Sequence, residues 1–368
     1  MSRVLVTGGA GFIGTHLVDA LVARGEDVVV VDSFEEQVHG KKTHVHGKMN
    51  GRTVIVADVA DRHAMRTALR DVDRVVHLAA VVGVGQSMYE IERYVRKNTL
   101  ATASMLEVIV GTGVERLVVA SSMSIYGEGE KSCEKCPTVP GKRTTFRMLN
   151  GKWEVPCALC GCDMDPEPSH EDDPLRPTSV YAITKRDQEE LCLAFGAAHS
   201  IPSVALRFFN AYGVGQSLSN PYTGVAAIFA SRLLNGRPPI IFEDGQQSRD
   251  FIHVSDIVSG LIAALDSDVA GEAINLGTGE PTTVLDVARI LGSELDHSIE
   301  PEVSGQFRAG DIRHCFADAE KAFELLGWEP SVSIEAGLRE LADAIALEEA
   351  HDFVEQHIAD MRRKGLST

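Results

Sequence analysis

The chain has 368 residues, 44% of them hydrophobic and 24% charged, which suits a folded protein of two substantial lobes and excludes a fibrous or disordered one. Its formal charge of −18 repels nucleic-acid phosphates and anionic membranes, so neither is an expected partner. No apolar run approaches the ~18 residues of a membrane helix and no signal segment is visible, which makes the cytoplasm the expected location.

Val4-Leu5-Val6 is a short apolar run suited to a strand buried on both faces. Thr7-Gly8-Gly9-Ala10-Gly11-Phe12-Ile13-Gly14 follows it, then a helical pattern through Leu17, Leu21 and Val22, then the strand Val28–Val31 ending at Asp32. Such glycines let a turn close tightly, let a pyrophosphate approach the backbone, and let helix pack on strand. The helix N-terminus offers unpaired N–H groups and a positive dipole end to phosphates. Asp32 stands 18 residues beyond Gly14, where a carboxylate accepts hydrogen bonds from ribose hydroxyls and repels a 2′-phosphate, favouring NAD over NADP.

The alternation continues with strands at Thr53–Asp58, Arg74–Ala80 and Arg116–Ala120 and a helix at Asn98–Val110, which predicts an α/β, doubly wound parallel (Rossmann) sheet. Asp58 can meet an adenine edge, and the small Ala79 and Ala80 allow close passage of a cofactor. His39, His44 and His46 fall in a polar stretch read as a solvated loop, not a metal site. Strand five runs into Ser121-Ser122-Met123-Ser124-Ile125-Tyr126-Gly127, and Tyr181 and Lys185 stand one helical turn apart. A neighbouring ammonium stabilises phenolate, so Lys185 is expected to lower the Tyr181 pKa, with Ser122 hydrogen-bonding the reacting oxygen.

The glycine fingerprint, His77-Leu78-Ala79-Ala80, Asn98 and the Ser122/Tyr181/Lys185 set resemble the extended short-chain dehydrogenase/reductases, which include nucleotide-sugar epimerases and dehydratases. The resemblance implies a catalytic set of Ser122, Tyr181 and Lys185. It implies cofactor contacts from Gly8, Gly11, Phe12, Ile13, Gly14, Asp32, Asp58, Val59, Leu78, Ala79, Ala80, Asn98, Tyr181 and Lys185. Sugar 4,6-dehydratases carry Asp-Glu after the serine, and sugar-acid decarboxylases place Glu at the position of Ser124. Here those positions are Met123 and Ser124, which disfavours elimination and decarboxylation. What remains is oxidation and reduction at one carbon: a 4-epimerase cycle on a nucleotide-diphosphate sugar, with a UDP-hexose 4-epimerase or a one-way reductase or dehydrogenase as alternatives.

In the second half, Ala205–Gly213 is a strand that includes Asn210, and Asn220-Pro221-Tyr222-Thr223-Gly224-Val225 opens a helix through a binding loop. Two arginines, Arg249 and Arg308, lie in family-like segments and can form bidentate contacts with a diphosphate despite the overall charge. The implied substrate set is Ser122, Ser124, Asn210, Val225, Arg249, Arg308 and Asp311.

Five of the seven cysteines fall between Cys133 and Cys162. Cys133-x-x-Cys136 and Cys157-x-x-Cys160 are separated by twenty residues and fit a structural, zinc-ribbon-like site of four thiolates, with Cys162 spare or replacing Cys160. Together with Gly151-Lys152-Trp153-Glu154 and the segment Gly310–Asp318, this insert is similar to that of the dTDP-L-rhamnose 4-epimerase group within the same family. The expected organisation is residues 1–129 and 173–185 as the NAD-binding domain, with strands near 203–212 and 250–275 returning to it. Residues 130–172 are the cysteine module, 186–345 mainly the substrate lobe, and 346–368 a charged, helical tail without an assigned role. The family usually dimerises, so a homodimer is expected.

Overall fold

The computed structural model describes residues 2–40, 47–49, 52–218, 220, 224–295, 299–308, 310–346, 352 and 354–367. His44 and His46 lie outside these residues, as do Pro221, Tyr222 and Thr223.

Eight strands form the central sheet: β1 (Arg3–Thr7), β2 (Asp27–Asp32), β3 (Gly47–Met49), β4 (Arg52–Val56), β5 (Arg74–His77), β6 (Arg116–Ser122), β7 (Ser203–Phe208) and β8 (Glu272–Leu276). Their order is β8-β7-β6-β5-β1-β2-β4-β3, parallel throughout except for the antiparallel β3 edge. The expected doubly wound sheet is therefore present. Its strands read as unbroken apolar runs because both faces are covered. Val4, Val6, Val28, Val30, Val118 and Leu206 face one core, while Leu5, Val29, Val31, Val75, Val119 and Ala205 face the other. β1 pairs with β2 on one side and β5 on the other, so the chain departs in opposite directions from this point. The crevice that opens there, at the carboxyl ends of the strands, is where ligands bind in such sheets.

Three boundaries differ from the sequence reading. β4 stops at Val56, which places Asp58 in the following loop. The helix expected at 98–110 is the end of a longer run, Ile91–Tyr94, Val95–Leu100 and Ala101–Ile109, whose middle segment is π-helical. Of the two returning segments, only β7 and β8 join the main sheet. Asn210–Tyr212 pairs with Ser248–His253, which also pairs with Pro281–Thr283 and His314–Cys315 to build the second lobe. Helices Val225–Leu234, Val284–Glu294 and Ile334–Ile345 close that lobe around Tyr212, Phe229, Leu291 and Leu341.

The cysteine module leaves the chain just after β6. Lys131–Ser132 pairs with Asp165–Pro166 at its base. Its own core is only Val155, Cys157 and Met164, too little apolar burial to order such a segment without a further tie.

Candidate active site

The turn after β1 is shaped for close backbone approach. Gly8 has φ +69°, and a Cβ on it would stand 2.8 Å from the Ala79 nitrogen; a Cβ on Gly14 would collide with the Gly8 carbonyl. The helix Phe12–Ala23 starts at Gly11 with no side-chain cap, so its first N–H groups remain available to an anion. Asp32 is buried at the end of β2, where it accepts the N–H groups of Ala10 (3.1 Å) and Phe34 (2.8 Å). His39 stands 3.5 Å from the same carboxylate and faces the cavity, so it is not the loop-exposed residue the sequence suggested.

Two predicted cofactor residues have protein partners of their own. Burial pushes the Asp58 carboxyl up, but a 2.7 Å hydrogen bond from Lys97, the Ala60 N–H and the lysine charge outweigh it and hold it low. Asn98 is fully buried and does not reach the cavity. Its amide spans the Val81 backbone (N–H at 2.8 Å, carbonyl at 3.1 Å) and donates to Thr184 (3.0 Å). It braces the Val81 backbone, a contact that only the tertiary pairing reveals.

Ser122 ends β6, and its Oγ accepts the N–H of Ser124 at 3.2 Å and lies 2.9 Å from the Ser124 hydroxyl. Tyr181 enters from the helix Val180–His199, whose N-cap Ser179 accepts the Ala182 N–H at 3.1 Å. Burial raises the phenol pKa and the Ser122 hydroxyl lowers it; the net shift is upward. Lys185 does not bring about the expected depression of the Tyr181 pKa. Lys185 spends its ammonium on the Ala120 carbonyl (2.5 Å) and Gln188 (2.8 Å), deeper beside the sheet, and burial pushes it down to about 8. His77, buried among Thr7, Thr102 and Gln188, is pushed by burial to about 3 and is therefore neutral.

On the opposite wall, Arg249 is held by the carbonyls of Ser248 (2.8 Å), Arg313 (3.0 Å) and Ile312. Among the described residues no carboxylate pairs with it, and burial lowers its pKa, so a ligand anion would supply the missing counter-charge. Arg308 differs from expectation: it bonds Asp311 at 2.8 Å and lies over the Phe242 ring at 4.5 Å, so those two predicted residues neutralise each other. Asn210 leaves a buried Oδ1 without a partner, and Val225 begins a helix whose Gly224 cap carries no side chain.

One cavity of about 610 Å³ joins these walls, lined at one end by Gly8, Gly11, Asp32 and Asp58 and at the other by Asn210, Val225 and Arg249, with Ser122, Tyr181 and Lys185 between. That size is typical of small-molecule sites. Sequence reasoning missed part of the wall: Val354, Ile358 and Met361 of the tail helix Val354–Arg363 also line it. Their i, i+4, i+7 spacing was the available signal.

Away from the cavity, the sulfurs of Cys133, Cys136, Cys157 and Cys160 all lie within 4.8 Å of one another. Individual separations are 3.6 Å (Cys133–Cys136 and Cys133–Cys160) and 3.3 Å (Cys136–Cys157). Tetrahedral zinc, with Zn–S of about 2.3 Å, requires sulfurs roughly 3.8 Å apart. Backbone N–H groups of Cys160 and Leu159 pull the Cys157 thiol down toward the ligating thiolate form. Cys162 stands apart and accepts Lys135 at 3.2 Å.

The NAD dependent epimerase/dehydratase family model matches residues 4–146 and 159–277. A dTDP-L-rhamnose 4-epimerase of Burkholderia thailandensis is 37% identical over 94% of this chain and 95% of its own length. A UDP-N-acetyl-alpha-D-glucosaminuronate decarboxylase of Bacillus cytotoxicus is 31% identical over 92% and 96%. The crystal structure of a Thermotoga maritima UDP-glucose 4-epimerase with UDP-glucose superposes with a TM-score of 0.77 at 30% identity, covering 93% of this chain and 98% of that one. Family model, sequence identity and superposition agree: the chain belongs to the NAD-dependent epimerase/dehydratase family.

Proposed function

We propose that this protein epimerises C4 of a nucleotide-diphosphate sugar, and that dTDP-L-rhamnose is its substrate. The observation that carries the reading is one cavity, with a glycine turn and an uncapped helix start at one end, Arg249, half-buried and with no carboxylate paired to it among the described residues, at the other, and Ser122 and Tyr181 between them. The glycine turn, the uncapped helix and Asp32 fit NAD, which when bound supplies reversible hydride transfer. Tyr181, hydrogen-bonded to Ser122, exchanges the proton of the sugar 4-hydroxyl. Lys185 holds positive charge behind it and keeps a donor for a ribose hydroxyl. Arg249 and the Val225 helix terminus grip the diphosphate while the 4-keto sugar turns over, and Asn210 offers a further polar contact.

Met123 and Ser124 follow Ser122, so neither position supplies the acid or base that elimination or decarboxylation needs. This favours epimerisation over the reaction named for the Bacillus cytotoxicus relative. The dTDP-L-rhamnose assignment is supported by the Burkholderia relative and the cysteine insert, and UDP-hexoses are the competing substrates, supported by the Thermotoga neighbour. Purified protein with NAD is incubated with dTDP-L-rhamnose, UDP-glucose and UDP-galactose, and products are identified by NMR. The expected result is the 4-epimer of dTDP-L-rhamnose with no net absorbance change at 340 nm. Stoichiometric NADH would indicate a one-way oxidoreductase instead, and conversion of UDP-hexoses alone would move the substrate.

The four sulfurs suit a structural zinc ion, with no open position for catalysis. A homodimer is supported by exposed Ile91, Val95, Leu100 and Ile183 on adjoining helices, to be checked by light scattering.

A further inference from the structure

Between the cysteine module and the substrate wall lies a buried set of charges that the proposed reaction does not use. The Arg143 side chain, from the module, is almost fully buried, and besides a long contact to the Trp153 carbonyl (3.4 Å) its guanidinium reaches three acceptors outside that loop. Nε donates to Glu128 (2.7 Å), Nη1 to Glu243 (2.6 Å) and Nη2 to the backbone carbonyl of Asp311 (2.6 Å). Glu154, also from the module, accepts Arg313 at 2.7 and 2.9 Å and His314 at 3.0 Å. Arg313 continues to Glu243 (3.0 Å) and Asp244 (2.6 Å), and its own N–H is taken by Glu128 (2.7 Å). Glu243, the shared acceptor, is buried with φ +53°, a conformation a non-glycine side chain keeps only when its surroundings impose it.

Two of these bonds hold the backbone from Asp311 to Arg313 directly, Arg143 on the Asp311 carbonyl and Glu128 on the Arg313 N–H, and the others anchor the side chains of Arg313 and His314 beside it. That stretch presents the Ile312 and Arg313 carbonyls that hold the Arg249 guanidinium. We infer that Arg143 and Glu154 are positioning residues for Arg249, so that the cysteine module sets how tightly the cavity grips the ligand's diphosphate. The chain of contacts is Arg143 on the Asp311 carbonyl and Glu154 on the Arg313 side chain, then the Ile312 and Arg313 carbonyls, then Arg249, then ligand phosphate. The inference rests on the reading of the cavity as a nucleotide-diphosphate-sugar site, and it assigns the module a share in substrate affinity and none in the chemical step.

The test measures binding of dTDP, UDP and NAD separately by calorimetry on the full-length protein, with steady-state kinetics alongside. Arg143→Lys keeps a charge beside Glu243, but an ammonium cannot reach three acceptors from a planar fork. Glu154→Gln keeps shape at a position 30% exposed and removes the charge. Both are expected to fold, by near-UV circular dichroism, and to weaken nucleoside diphosphate binding about tenfold, the scale of coupling through a packed network. KM should rise in step, kcat should stay within about twofold, and NAD affinity should be unchanged. Combining Arg143→Lys with Arg249→Lys should cost less than the sum of the single changes, since both act on one contact. Folded variants with wild-type diphosphate affinity would overturn the inference, as would a parallel loss of NAD affinity, which marks general loosening. Wild-type protein that binds diphosphates but converts no sugar would sink the proposed reaction while these comparisons still decide the inference. Wild-type protein that binds no nucleoside diphosphate would sink both.

Discussion

The two ends of the cavity are built by different means. The end proposed for the cofactor offers mainly backbone: a glycine turn, an uncapped helix start and one carboxylate, all carried on β1, β2 and the helix between them. The end proposed for the substrate offers side-chain charge, arranged by segments that are more than a hundred residues apart in sequence. Backbone sites are rigid because their sheet is rigid. Charged sites are only as well placed as the partners that hold each charge, and their ligand must repay a burial cost that the folded chain already carries.

The largest way to sharpen this contrast lies between the two ends. Tyr181→Phe should lower kcat by about 10³-fold while leaving NAD and nucleoside diphosphate affinities intact, because only the proton exchange is removed. Wild-type turnover in that variant would undo the mechanism.

At the substrate end, Arg249→Lys should weaken diphosphate binding by about 2 kcal/mol, measured by calorimetry, with NAD binding unaffected. Should both ligands weaken equally, the two ends would not be separable.

A smaller effect should follow removal of metal. Cys133→Ser with Cys136→Ser is expected to abolish zinc content, to loosen residues 130–172 in hydrogen exchange, and to raise the sugar-nucleotide KM about threefold to tenfold. Unchanged exchange in that stretch would show that the sulfurs do not tie the module.

The smallest effect is a pH dependence. Burial pushes Glu154 up, but His314 and Arg313 more than offset it and bring its carboxyl from 4.5 down to about 2. A carboxyl that is more acidic folded than unfolded stabilises the fold above pH 4.5, and that contribution is lost as pH falls toward 2. At this partly exposed site it is about 1 kcal/mol. The wild-type Tm should therefore fall more steeply below about pH 4.5 than that of Glu154→Gln. Parallel curves would remove Glu154 from the acid response.

The same contrast explains what the sequence could disclose. Strands β1, β2 and β5, the fingerprint and Asp32 were legible because each role follows from local pattern: an apolar run, a glycine spacing, an acid at a strand end. The cysteine quartet was legible because knuckle spacing is also local, and the structure brings together Cys160 in preference to Cys162. Asn98, Arg308 and Lys185 were read as ligand or proton-transfer residues because their motifs point that way. Their partners Val81, Asp311 and Ala120 are set by tertiary packing, and those contacts take up part of what each side chain can bond. Arg143 carried no motif at all, and Glu154 stood in the Gly151–Glu154 segment without any role attached to it.

The π-helical turn at Val95–Leu100 accommodates one more residue than an ordinary helix would. Because of it, Lys97 meets Asp58 and Glu35, Asn98 meets Val81, and Thr99 meets Asp187 of the catalytic helix at 2.8 Å, three directions served from three consecutive positions. Deleting a single residue there would give a more regular helix and a worse protein: the downstream turns would rotate by about 100° and all three contacts would lose register together. This stretch should therefore tolerate substitution far better than it tolerates any change in length.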